Sequence, residues 1–150
     1  MSEINLKSFV QTRKRDAELL AWFRFIRLIK KTMPQMDVQF KEWNLSQGQF
    51  DLLAEVAIQE GTNQQSCANR LNVTKGNVAQ HLKNLEQRGL MRREKVGRDN
   101  QIYLTEKGWD LFGKIMPAHD EYVKQILAPL SKKEVQQFSS LMRKLERSLE

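Results

Sequence analysis

A single cysteine, Cys67, and two histidines, His81 and His119, are all that this chain of 150 residues holds of thiol and imidazole. One cysteine excludes an internal disulfide and a thiolate metal cluster. Two histidines far apart in sequence, in no Cys/His/Asp cluster at ligand spacing, leave no metal site to propose. No apolar run approaches the roughly 20 residues of a membrane span, so no membrane partner is expected. The opening stretch, MSEINLKSFVQTRKR, has no apolar signal core before its basic residues, and the expectation is a cytoplasmic protein. A glycine-rich phosphate loop, a nucleophile elbow and a catalytic dyad are also missing. The carboxylates are scattered among Lys and Arg on helix surfaces. No catalytic residue and no cofactor are expected, and an enzyme is the weaker reading.

What is present is positive charge in one place. The net charge is +7, and residues 64–108 hold nine Lys or Arg against four Asp or Glu. The rest of the chain therefore carries only +2. Basic charge concentrated on one third suits a polyanion and diffusional steering towards it.

That third has a pattern. A short helix with Ala68 and Leu71 should end near Asn72, which tolerates the left-handed turn conformation. Thr74 is the expected N-cap of a second helix, whose Val78, Leu82 and Leu85 form one buried stripe. Asn77, Gln80, Asn84 and Gln87 project from the other face. A polar face is ordinarily just solvated, but Asn and Gln amides can pair with adenine edges, and Lys75 and Lys83 can reach phosphates. His81 lies on the flank of this helix, within reach of a phosphate. Gly89 ends the helix and Leu90 begins a strand. Arg92, Arg93, Lys95 and Arg98 crowd the way to a turn at residues 97–100, and residues 101–104 return. A basic hairpin beside a helix-turn-helix is a winged helix.

Three pieces carry a resemblance: LSQGQFDLL (residues 45–53), LEQRGLMRR (85–93) and LTEKG (104–108). In this order and spacing the chain resembles the MarR family of winged-helix transcription regulators, over nearly its whole length. The resemblance implies double-stranded DNA as partner, with the second helix in the major groove and the wing on backbone or minor groove. One departure stands out. The family's wing usually carries Asp-Arg-Arg, whereas this chain has Asp99, Asn100 and Gln101, so the minor-groove cation would have to be Arg98 or Lys95.

The flanks read as helices. Residues 8–33 make one long helix, apolar around most of its girth (Leu19, Leu20, Trp22, Phe23, Phe25, Ile26, Leu28, Ile29), which is more than one domain's core needs. Pro34 should end it, with residues 35–44 a connection or short extra helix anchored by Trp43. Ser46 and Gln49 form a capping box for a helix that buries Phe50, Leu53 and Val56. After Thr105 a helix should run from Trp109 to Ile126, interrupted at Pro117 and ended by Pro129. Ser131 and Glu134 form a second capping box. Val135, Phe138, Met142, Leu145 and Leu149 then make a coiled-coil-like seam that needs a partner.

The expected architecture is mainly α with a small β-hairpin wing, a single domain over residues 1–150. Residues 1–34 and 109–150 form a helical dimerisation region, and residues 45–108 form the winged helix-turn-helix. The expected function is a homodimeric, sequence-specific regulator on a pseudo-palindromic operator, a repressor relieved by a small ligand. The candidate DNA-binding residues are Thr74, Lys75, Asn77, Gln80, His81, Lys83, Asn84, Arg93, Lys95, Arg98, Asn100 and Gln101. The resemblance also implies a small aromatic or phenolic effector between dimer arms and winged helix, bordered here by Trp22, Phe23, Ile26, Trp43 and His119. An aromatic stripe is more often core, and His119 reads first as a satisfied core histidine. Two alternatives stay open: a redox-responsive (Cys67) or ligand sensor or regulator acting mainly through a protein partner, or a small enzyme that borrows the fold. Cys67 beside Ala68 reads first as a small buried hydrophobe, and the resembled family's peroxide sensors carry their cysteine in the first helix instead.

Overall fold

The computed structural model describes residues 16–150. Six helices and one two-stranded antiparallel hairpin are found among them: α1 (Ala17–Glu42), α2 (Gln47–Ile58), α3 (Gln64–Leu71), α4 (Lys75–Gln87), β1 (Met91–Val96), β2 (Asp99–Leu104), α5 (Glu106–Leu127) and α6 (Lys132–Ser148). The expected mainly α fold with a β-hairpin wing is the observed one. The described residues divide into a first unit ending at Gln39 and a second, Phe40–Glu150.

In the first unit α1 exposes Leu20, Trp22, Phe23, Leu28 and Ile29, with Trp22 58% exposed. The part of the expected helix before residue 16 lies outside the described residues. At its other end the expectation fails, because α1 does not stop at Pro34 but continues to Glu42. Proline forfeits one hydrogen bond and crowds the carbonyl four residues back. Here Pro34 and Lys30 are both exposed, so solvent can take the freed carbonyl, while Met33, Met36 and Phe40 sustain the three-and-four spacing. Pro117 behaves the same way inside α5, facing an exposed Gly113, and the helix stays one element.

The second unit packs around α2. Phe40, Leu45, Phe50, Leu52, Leu53, Val56, Cys67, Ala68, Val78, Leu82, Leu85, Leu90, Met91, Ile102, Leu104 and Ile115 are buried. The capping boxes at Ser46–Gln49 and Ser131–Glu134 are present as expected. Asn44 takes a positive φ of 55° to end α1, and Leu45 N donates to Phe40 O at 2.9 Å.

The LTEKG motif becomes intelligible residue by residue. Leu104 is buried. Thr105 caps α5, its Oγ1 accepting from Gly108 N at 3.0 Å and donating to Gly89 O at 2.5 Å. Lys107 Nζ donates to Arg88 O at 2.9 Å, tying α5 to the end of α4. Gly108 sits so close to Leu90 that an added Cβ would lie 2.1 Å from its carbonyl oxygen.

The hairpin turns more tightly than expected. Val96 pairs with Asp99, so only Gly97 and Arg98 form the turn, and Asp99 and Asn100 belong to the strand. Of the two turn residues only Gly97 has a positive φ, 62°, the type II′ arrangement that matches strand twist. The wing's base is also tied to the segment before α3: Gly61 N donates to Ile102 O at 3.0 Å, and Ile102 N to Thr62 O at 2.7 Å.

Among the described residues, no side chain of α6 is buried. Leu141, Leu145 and Leu149 are 62%, 61% and 87% exposed.

Candidate nucleic-acid interface

The helix-turn-helix is α3, the left-handed Asn72 (φ 53°) and α4. Thr74 caps α4 by accepting from Asn77 N at 3.1 Å. With Val78, Leu82 and Leu85 buried, the opposite face carries Lys75, Asn77, Gln80, Lys83, Asn84 and Gln87 out to solvent. Six of the seven positions expected on α4 and its cap therefore lie on one exposed surface.

His81 does not. It is half-buried and turned under α4 against α2, where a Cβ on Gly48 would lie 2.5 Å from its Nε2. The glycine leaves the space that the imidazole occupies. Asp51, half-buried nearby, accepts from Gln47 Nε2 at 2.7 Å, and burial raises its carboxyl above the usual value. Among the described residues, no group of three or more His, Cys, Asp or Glu side chains is placed to hold a metal.

On the wing the basic residues divide into two kinds. Arg93 makes two parallel bonds to Glu86 of α4, both 2.7 Å, so it braces wing against helix. That bidentate bond also holds its guanidinium more firmly protonated. Arg92 pairs with Glu94 and lies 4.7 Å over the Tyr103 ring. Gln101 Oε1 accepts from Tyr103 Oη at 2.6 Å. By contrast Lys95, Arg98 and Asn100 are exposed and have no side-chain partner among the described residues. Register puts Lys95 opposite Asn100, on the same face as Arg93 and Ile102. Arg98 stands at the tip.

Two other side chains bear on function. Cys67 is fully buried, its Sγ 4.0 Å from Thr62 Oγ1, and burial pushes its thiol pKa up. A raised pKa keeps the thiol protonated and poorly nucleophilic. His119 packs its ring 5.1 Å from Phe50 and 6.1 Å from Phe40. It is packed but not satisfied, since Nδ1 is buried without a hydrogen bond and Asp120 Oδ1 stands 3.6 Å away.

Sequence reasoning missed Gln49 as anything beyond a cap. Its Nε2 donates to Asn84 Oδ1 at 2.9 Å, linking α2 to the outer face of α4 across 35 positions. Lys41 was missed as well; it shares a concavity with Gln49, Asn84 and Arg88.

Residues 45–102 match the sequence model of the MarR family. The regulator PecS of Dickeya dadantii is 28% identical over 120 residues, 76% of this chain and 72% of PecS. The crystal structure of the transcriptional regulator SlyA superposes with a TM-score of 0.76 at 25% identity, covering 85% of this chain and 92% of that one. The S. aureus MepR–DNA complex matches in fold with a TM-score of 0.75 at 24% identity, over 91% of this chain and 99% of MepR. No helix among the described residues is long and apolar enough to cross a membrane.

Proposed function

From the premise that this chain is a DNA-binding transcriptional regulator of the MarR family, we propose that it acts as a cytoplasmic homodimer on a pseudo-palindromic operator, as a repressor relieved by a small aromatic or phenolic ligand. Each copy lays α4 in a major groove and sets Lys95 and Arg98 of the wing against backbone or minor groove. The observation that carries this reading is the exposed polar face of α4 beside two unpaired wing cations. Thr74, Lys75 and Asn77 enter first, because recognition helices meet base edges with their N-terminal residues. Gln80 and Lys83 follow. Arg93 acts by holding the wing at a fixed angle to α4, and His81 by packing α4 on α2. MepR, whose fold this chain shares, was solved bound to DNA, which supports the same use of the fold here.

Dimerisation is supported by exposed apolar side chains on both flanking elements: Trp22 and Phe23 on α1, Leu141 and Leu145 on α6. Two copies related by a two-fold axis would read half-sites about one turn, roughly 10 bp, apart. Repression and its relief rest on the family resemblance. The redox alternative has little support in a fully buried thiol.

The test is selection of a binding site from a random duplex pool, followed by footprinting. Two protected patches one helical turn apart, lost together when Lys75 and Gln80 are changed to Ala, are expected. Protection without two-fold symmetry would refute the dimer arrangement. If a broad panel of phenols and aromatic acids leaves the affinity unchanged, ligand relief is wrong.

A further inference from the structure

Beside the C-terminal half of α4 lies a concavity of about 330 Å³ bordered by Lys41, Ser46, Gln49, Asn84 and Arg88. Among the described residues its charged side chains, Lys41 and Arg88, are both cations. Two of its amides, those of Gln49 and Asn84, are held in one polarity. The backbone N–H of Ser46 can only donate, and it donates to Gln49 Oε1 at 3.0 Å. Gln49 must therefore present Nε2 to α4, and this nitrogen donates to Asn84 Oδ1 at 2.9 Å. Asn84 is left with Nδ2 as its free end.

An asparagine pairs with adenine by offering a donor and an acceptor together. With one lone pair of Oδ1 already taken by Gln49, the group Asn84 presents most freely is the Nδ2 donor. Arg88 commits its guanidinium to the carbonyls of Asn44 and Trp43, at 2.6 and 3.2 Å, but its charge stays at the rim. Lys41 is exposed and has no partner among the described residues. Asn84 also stands ten residues beyond Thr74, about 15 Å along the helix axis, well back from the turn that meets base edges.

We propose that this concavity seats one backbone phosphate flanking the half-site, held by Asn84 Nδ2 and the Lys41 ammonium, with Gln49 as the positioning residue that fixes the polarity of Asn84. The assignment rests on α4 being the major-groove helix. It makes Asn84 a contact that sets register and carries no base preference, and it adds Lys41 to the DNA-binding surface.

The test uses the full chain and its selected duplex, in a series with single neutral methylphosphonates replacing phosphates one at a time. Asn84→Ala should weaken binding about 3- to 10-fold on every sequence, leaving base preference and salt slope unchanged. Lys41→Ala should lower the salt slope by about one. One methylphosphonate position should cost the wild type more than it costs either variant, which puts both side chains on one phosphate. Gln49→Glu keeps the capping box but cannot donate to Asn84, so the Asn84 amide must reverse. The change should weaken binding more in the wild type than in the Asn84→Ala background. If Asn84→Ala relaxes preference at one base pair, or if no phosphate couples to it, the proposal is wrong. A wild type that binds no selected sequence better than random DNA would overturn the major-groove reading itself.

Discussion

Replacing Gly108 by Ala should be among the most damaging small changes in the second unit. The new Cβ would lie 2.1 Å from Leu90 O, 3.1 Å from Leu90 C and 3.4 Å from Leu104 Cβ. The first obstacle is backbone, so no side-chain rotation relieves it. To reach ordinary contact the first turn of α5 must retreat by about 1 Å, at an overpacking cost of roughly 1–3 kcal/mol. That retreat strains the bonds from Thr105 N to Leu90 O (3.1 Å), Thr105 Oγ1 to Gly89 O and Lys107 Nζ to Arg88 O. Losing one or two of them adds roughly 0.5–1.5 kcal/mol each. Alanine's better helix propensity returns about 1 kcal/mol. The net expectation is about 2–4 kcal/mol of destabilisation, measured by urea unfolding. Gly113 in the same helix is the control, because a Cβ there meets nothing within 4 Å. Gly113→Ala should stabilise by about 0.5–1 kcal/mol. If the two substitutions shift the unfolding midpoint alike, the close approach of α5 to Leu90 is not what requires glycine.

Three further outcomes are expected. Burial raises the Asp51 carboxyl above its ordinary 3.8, so the native chain holds that proton more tightly than the unfolded one. This contribution is complete below pH 3.8 and lost as pH rises through the folded value. Asp51→Asn, which keeps an oxygen for Gln47, should therefore be more stable than wild type near pH 7 and converge with it in acid; equal midpoints near pH 7 would contradict the burial. Cys67 should resist a thiol reagent in the native state and react only as the chain unfolds, and labelling as fast as a free thiol would revive the redox alternative. Leu141→Glu with Leu145→Glu should convert a dimer to a monomer in sedimentation, whereas a dimer of unchanged strength would place the interface elsewhere.

Local chemistry was the readable part of this sequence. The caps at Ser46, Thr74, Thr105 and Ser131 are side chain–backbone bonds closed within three residues, and each was found where the residue types implied. The stripe of Val78, Leu82 and Leu85 was legible for the same reason, since one helix period sorts buried from exposed. Pro34 and Pro117 misled because a proline's local penalty is finite, and in both cases the residue four positions back is exposed to solvent. The turn was placed too long because Gly97 can supply the needed φ in a two-residue loop. What the sequence hid was non-local. Arg93 looks like another wing cation until Glu86 is seen 2.7 Å away, His81 like a surface residue until Gly48 is seen beneath it, and Asn84 like a free amide until Gln49 is seen bonded to its oxygen.

The central claim is that the outer face of α4 and the wing together recognise a DNA sequence. Its most direct measurement is anisotropy of the full chain on its selected palindrome and on random duplex across a salt series. A selected site bound about 10³-fold or more tightly than random DNA, with the salt slope falling by about one for each of Lys95→Ala and Arg98→Ala, is the predicted result. Equal, steeply salt-dependent affinity for both duplexes would leave only a basic surface and contradict the account.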